Sequence, residues 1–224
     1  RFSLDAIVAG KWDAYIDSWA AEAKIFRRSI FVAWGLEMNG TWFPWSGYFY
    51  GGGKELSESV YAGPDLYKKA YRYVVDRVRG AGAKNIIWVF HIQNYSYPSD
   101  DWNQPKEYYP GDDYVDWLAM SAYGKQFRDE KWVSASDVLT YAYDDLCAIT
   151  SKKPVMIAEW GIGEFPKVGD KAEWIAEAFQ IMKRFSRLNA AVFWSERWQN
   201  DDGTYSNLRV TSSPRALESY RSGV

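Results

Sequence analysis

"SIFVAWGLEMNGTWFPW", Ser29 to Trp45, sets an apolar run against one carboxylate, Glu37, and then against a series of aromatic rings. From Ser29 to Gly35 the chain is apolar after its first residue, the composition of a parallel strand buried on both faces. Four later stretches have the same character: Asn85–Phe90 (NIIWVF), Tyr114–Met120 (YVDWLAM), Pro154–Ala158 (PVMIA) and Ala190–Trp194 (AAVFW). A fragment at Leu4–Val8 reads as a sixth strand. Amphipathic patterns predict helices over Lys11–Lys24, Pro64–Arg79, Ser134–Thr150, Asp170–Leu188 and Ser213–Tyr220. The first of these places Trp12, Tyr15, Ile16, Trp19 and Ala20 on one face. The second carries Pro64 at its start and Gly80 at its end, the usual punctuation.

Alternating strands and helices predict an α/β fold, a parallel sheet with helices outside it. With no internal repeat, low-complexity tract or linker, residues 1–224 read as one domain. A (β/α)8 TIM barrel needs eight strands. Five or six strands fit the latter part of such a barrel, or a complete open sheet.

Composition narrows the function classes. The 224 residues carry 27 Lys and Arg against 29 Asp and Glu, a net charge of -2, so no basic excess points to nucleic acid. A single cysteine, Cys147, rules out an internal disulfide, and a single histidine, His91, rules out a multi-histidine metal site. No apolar run approaches the roughly 18 residues of a membrane span. Aromatic residues make up 18% of the chain, 13 of them tryptophan. That serves a large core or a sugar-binding cleft, because pyranose rings present flat C–H faces that stack on aromatic rings.

Location favours the cleft. In parallel α/β folds the active site lies at the C-terminal ends of the strands. Glu37 follows one apolar run, and Glu159 follows "KKPVMIA". Burying a carboxylate costs free energy unless it is paired or hydrogen-bonded. Two such acids with aromatic rings beside each suit glycoside hydrolysis, in which one carboxyl protonates the leaving oxygen while the other attacks the anomeric carbon or activates water.

The motifs "GLEMNGTWFPW", "IIWVFHIQN", "YYPGDDYVDWLAMSAYG", "KPVMIAEWGIGE" and "AAVFWSERW" make the chain resemble glycoside hydrolase family 26 over nearly its whole length. That family includes endo-β-mannanases and some β-glucanases, and belongs to the barrel glycosidases with acids on strands four and seven. The resemblance implies that this chain covers strands four to eight, with the N-terminal units absent. It implies Glu37 as general acid/base, Glu159 as nucleophile and a retaining mechanism with no cofactor. Tyr123 is then placed to hydrogen-bond Glu159, and Trp194 to form the floor under the sugar. Trp42, Trp45 and Trp160 are candidates for neighbouring sugar subsites, and Asn39, Asn94 and His91 for polar contacts. Core packing is the alternative for each.

Family mannanases usually carry histidine just before the acid/base, where this chain has Leu36. β-1,4-Mannan is the first substrate expected and a β-1,3-1,4-glucan the second, with an inactive carbohydrate-binding relative as the alternative from another class. Secretion is implied by the resemblance. Open barrel edges predict cover by an N-terminal segment or a neighbouring chain. "GGGK" (Gly51–Lys54) lacks the spacing of a phosphate loop, and "NDDGT" (Asn200–Thr204) reads as a turn rather than a calcium loop.

Overall fold

The computed structural model describes residues 2–224. In chain order the elements are α1 (Leu4–Val8), α2 (Asp13–Phe26), β1 (Ile30–Val32), β2 (Glu55–Ser57), β3 (Val60–Tyr61), α3 (Ala62–Gly80), β4 (Ile86–Gln93), α4 (Pro105–Tyr108) and β5 (Trp117–Tyr123). They continue with α5 (Ala135–Ile149), β6 (Val155–Gly161), α6 (Lys171–Met182), β7 (Leu188–Phe193), β8 (Arg197–Gln199), β9 (Tyr205–Asn207) and α7 (Pro214–Gly223). The fold is α/β, with a five-stranded parallel sheet of order β1-β4-β5-β6-β7. Short antiparallel pairs β2–β3 and β8–β9 stand apart from it.

The chain divides into two compact units, residues 2–119 with 145–154, and residues 120–144 with 155–224. In the first, β1 and β4 pair in parallel, Ile30 opposite Ile86 and Val32 opposite Trp88. Helix α3 buries Tyr67, Ala70, Tyr71, Val74, Val75 and Val78. These positions recur at three and four residues, one stripe of a helix. The Tyr71 ring meets Trp88 of β4 edge-on, with centroids 6.3 Å apart.

In the second unit β6 and β7 pair in parallel, Val155 opposite Leu188 and Trp160 opposite Phe193. Helix α6 starts at Asp170, whose carboxylate accepts from the Ala172 and Glu173 amides at 2.8 and 3.2 Å. Helix α7 starts at Ser213, whose hydroxyl accepts from the Ala216 amide, with Pro214 in its first turn. Such caps satisfy amides that have no partner inside the helix.

Two expectations from sequence are corrected. Leu4–Val8 is a helix, not a strand. Ser3 caps it, and the two residues it buries, Leu4 and Ile7, are three apart, a helical spacing. The helix expected over Asp170–Leu188 stops at Met182, because the chain then turns through Arg184 and Phe185, and Leu188 already belongs to β7. Phe185 stacks flat on Tyr143, with centroids 3.9 Å apart, which fixes that turn.

Candidate active site

The two glutamates sit in different units, and each has its own built surroundings. Strand β1 is only three residues long, so Glu37 stands in the turn that follows it. Its backbone is left-handed, with φ of 53°, a conformation that non-glycine residues rarely adopt and that clusters at functional positions. Two hydrogen bonds hold the turn: the Glu37 amide donates to the His91 carbonyl at 2.8 Å, and the Gly40 amide donates to the Glu37 carbonyl at 3.0 Å. The side chain is only 8% exposed. The Trp42 indole donates to Glu37 Oε2 at 2.7 Å. That indole lies flat against Gly40, where a Cβ would stand 2.4 Å from its ring. Trp42 is nevertheless 47% exposed, and with Phe43, Pro44, Phe49 and Tyr50 it lines an open aromatic cavity of about 610 Å³.

Other candidates in this unit divide between surface and support. The Trp45 indole donates to the Leu36 carbonyl at 2.7 Å and stacks on Phe43 at 4.6 Å. Asn39 is fully buried. Its amide donates to the Gln93 carbonyl and the Ser96 hydroxyl, and its side-chain oxygen accepts from the Gln93 amide. Asn39 therefore clamps the loop after β4, and its hydrogen-bonding capacity is spent on protein. Asn94 differs: its Nδ2 is buried and meets no acceptor among the described residues. His91 lies within β4, and burial pushes its pKa down to about 3, which keeps the ring neutral.

The second unit shows what strand alternation does. Glu159 lies inside β6, which runs two residues past it, and the Tyr123 hydroxyl at the end of β5 donates to Glu159 Oε2 at 2.7 Å. The next residue, Trp160, points the opposite way, as successive strand residues do. It is 1% exposed and enclosed by Trp174 and Phe179 of α6, Phe193 of β7 and Tyr220 of α7. The structure corrects the expectation that Trp160 lines a sugar subsite: it is a core residue. Trp160 and Phe193 are register partners on the helix-facing side. Glu159 and Trp194, the residues flanking them, take the other face. There Trp194 keeps 39% of its surface exposed.

The model of glycosyl hydrolase family 26 matches residues 9–190. The chain belongs to that family. Among its relatives, Endoglucanase H of Acetivibrio thermocellus is 34% identical over 223 residues, 96% of this chain and 22% of that protein. A mannan endo-1,4-beta-mannosidase of Bacillus subtilis is 28% identical over 165 residues, 72% of this chain and 38% of that protein. The catalytic domain of the Bacillus sp. JAMB-750 endo-beta-1,4-mannanase superposes with a TM-score of 0.67 at 18% identity, over 96% of this chain and 57% of that one. That likeness shows the fold. This family 26 chain thus spans between a fifth and three-fifths of the length of these relatives.

Three features of the candidate site lie beyond what the sequence reveals. The Trp42–Glu37 hydrogen bond joins residues five apart across a turn, which no periodicity reveals. Gly40 was legible only as a motif glycine, not as the floor under an indole. The left-handed Glu37 backbone leaves no mark in composition. Among the described residues no helix is long and apolar enough to cross a membrane.

Proposed function

We propose that this chain is the catalytic part of an endo-acting, retaining β-glycosidase acting on a neutral β-linked polysaccharide. The observation that carries the reading is that each of the two glutamates is held on one oxygen by an aromatic donor at 2.7 Å, within the span matched by the family. Glu159 attacks the anomeric carbon as its C–O bond to the leaving sugar breaks, and Glu37 gives its proton to that leaving oxygen. Water then attacks the glycosyl-enzyme, losing its proton to Glu37 and releasing Glu159, so that two inversions give net retention. Trp42, Trp45 and Trp194 supply the aromatic surfaces. Asn39, His91 and Trp160 hold the frame.

For the polymer, the 34% identity to Endoglucanase H over 96% of the chain favours a β-glucan. The similarity to the mannan endo-1,4-beta-mannosidase supports β-1,4-mannan as the second reading. A polymer of this kind is met outside the cell, which favours secretion. The reading also includes cover for the β1 edge by further polypeptide. Beside that strand Trp12, Tyr15 and Trp19 line an apolar cleft of about 340 Å³.

The test is hydrolysis of β-glucan, mannan and xylan by the wild type, Glu37→Ala and Glu159→Ala, with the anomer of the first product followed by NMR. The expected result is a β-anomeric first product from the wild type and a large loss in both variants. Equal activity in all three proteins, or an α-anomeric first product, overturns the reading.

A further inference from the structure

A second cleft, of about 560 Å³, lies in the unit that carries Glu159 but outside the proposed catalytic residues. Its walls are the 127–130 loop and the β8–β9 hairpin, and its lining includes Phe127, Arg128, Asp129, Trp198, Asn200 and Asp201. The volume lies within the roughly 300–1,000 Å³ of small-molecule sites.

Both walls are built in advance. In the hairpin Trp198 is the register partner of Ser206, so the two share a face. Ser206 is buried and donates to the Gln126 carbonyl at 2.8 Å, which turns that face toward the loop. Trp198 consequently meets Phe127 edge-on, with centroids 6.2 Å apart. On the opposite face Arg197 lies over the Tyr205 ring at 3.7 Å and stiffens the pair. The turn is tied by the Asn200 amide, which donates to the Thr204 and Ser206 hydroxyls at 3.1 Å. The facing loop is closed by Lys125, which is buried and donates to the Arg128 and Glu130 carbonyls. Glu130 accepts in turn from the Gln126 and Phe127 amides at 2.6 and 3.0 Å.

The lining combines an indole and a phenyl ring with polar side chains, which matches a pyranose: a C–H face bounded by hydroxyls. Asp129, Glu130, Asp201 and Asp202 outnumber Arg128, so an anionic sugar is repelled and a neutral one is not. Among the described residues no group of three His, Cys, Asp or Glu side chains is placed to hold a metal ion. The loop starts just after Tyr123 and the hairpin just after Trp194. Both walls therefore rise from the strand ends of the unit where Glu159 stands.

We propose that this cleft is a second sugar-binding site, which takes a neutral β-linked hexose segment of the polymer outside the catalytic pair. The inference rests on the glycosidase reading above. Its test is titration of the intact protein carrying Glu159→Gln with cellohexaose and with mannohexaose, following tryptophan indole N–H signals by NMR. The Trp198 and Trp42 signals are assigned by their loss in Trp198→Phe and Trp42→Phe. The expected result is a saturable shift of the Trp198 signal with at least one of the two sugars. A Trp42 shift with Trp198 unmoved overturns the second site and leaves the glycosidase reading standing. A Trp198 shift with Trp42 unmoved supports the second site and counts against Trp42 as a sugar surface. If neither signal moves, both fall.

Discussion

Gly40→Ala tests the acid half of the site with a single methyl group. A Cβ built on Gly40 stands 2.4 Å from Cζ2 and Cη2 of Trp42 and 2.6 Å from Cε2, whereas ordinary contact begins near 3.4 Å. The indole must therefore withdraw by about 1 Å at its far end. Gly40 does not have a left-handed backbone, so alanine adds no strain of its own. Trp42 is half exposed and has room to move outward. The fold should lose no more than about 1 kcal/mol. The consequence falls on the 2.7 Å bond from Nε1 to Glu37 Oε2, which is drawn off its acceptor.

A hydrogen bond to a charged group is worth about 1.5–3 kcal/mol. If it orients Glu37 in the transition state, its loss lowers kcat/KM by about 10- to 150-fold. Trp42→Phe, which keeps a ring but removes the donor, should fall in the same range. The assay is initial-rate hydrolysis of an unactivated oligosaccharide, run beside a dinitrophenyl glycoside whose leaving group needs no proton. Because kcat/KM reports the first bond cleavage, the loss should shrink to a few-fold on the dinitrophenyl substrate. Two results refute the reasoning: Gly40→Ala within threefold of wild type on the unactivated substrate, or equal losses on both substrates at unchanged Tm.

Tyr123→Phe removes the donor to Glu159 and should lower kcat/KM by a similar 10- to 150-fold, but on both substrates alike, since it acts on the nucleophile; a loss below threefold counts against that role. His91, the only histidine, should show imidazole NMR signals that stay constant from pH 8 to pH 4.5. Its folded pKa, near 3, lies below the unfolded value of 6.5, so unfolding takes up a proton between these values. Stability from this group is complete above pH 6.5 and declines as pH falls toward 3, by up to about 5 kcal/mol; a folded-state midpoint near 6.5 would contradict the burial argument. Lys171, buried while donating to the Asn207 and Arg209 carbonyls, has its pKa lowered by burial to about 8 from 10.5. The unfolded chain holds more protons in that window, so wild type should gain stability relative to Lys171→Met as pH rises from 8 to 10.5, by at most about 3 kcal/mol. Denaturant melts that show a constant difference across the window would exclude this.

The strands were legible because their code is coarse. A run such as Ile86 to Phe90 is apolar at every position and rich in β-branched and aromatic residues, which suits a short strand covered on both faces. Strand ends were not legible, because an end is set by where pairing stops rather than by composition. Strand β1 closes at Val32, three residues before the expected end at Gly35, while β4 runs three residues past Phe90. Strand β7 begins two residues before Ala190. Leu4–Val8 failed for a related reason: five apolar-rich residues fit either period, and only Ser3 at the cap decides between them.

Strand ends then govern what could be said of the tryptophans. Placing the end of β6 at Ala158 puts Glu159 and Trp160 together in a loop, where both are free to face a substrate. Placing it at Gly161 makes them neighbours in a strand, and alternation sends them to opposite faces. The same parity turns Phe193 toward Trp160 and leaves Trp194 exposed. It also turns Trp198 with Ser206 toward the 126–130 loop, while Arg197 and Tyr205 face away. Aromatic content therefore carries no functional information until register is known, and one residue of error at a strand end exchanges a core ring for a binding surface. Glu37 escapes this ambiguity because no strand parity positions it. A left-handed turn, a bond to the β4 backbone and an indole seated on Gly40 do so together. Removing any one of the three should disturb the acid without unfolding the sheet, which a Glu37 placed by strand register alone would not allow.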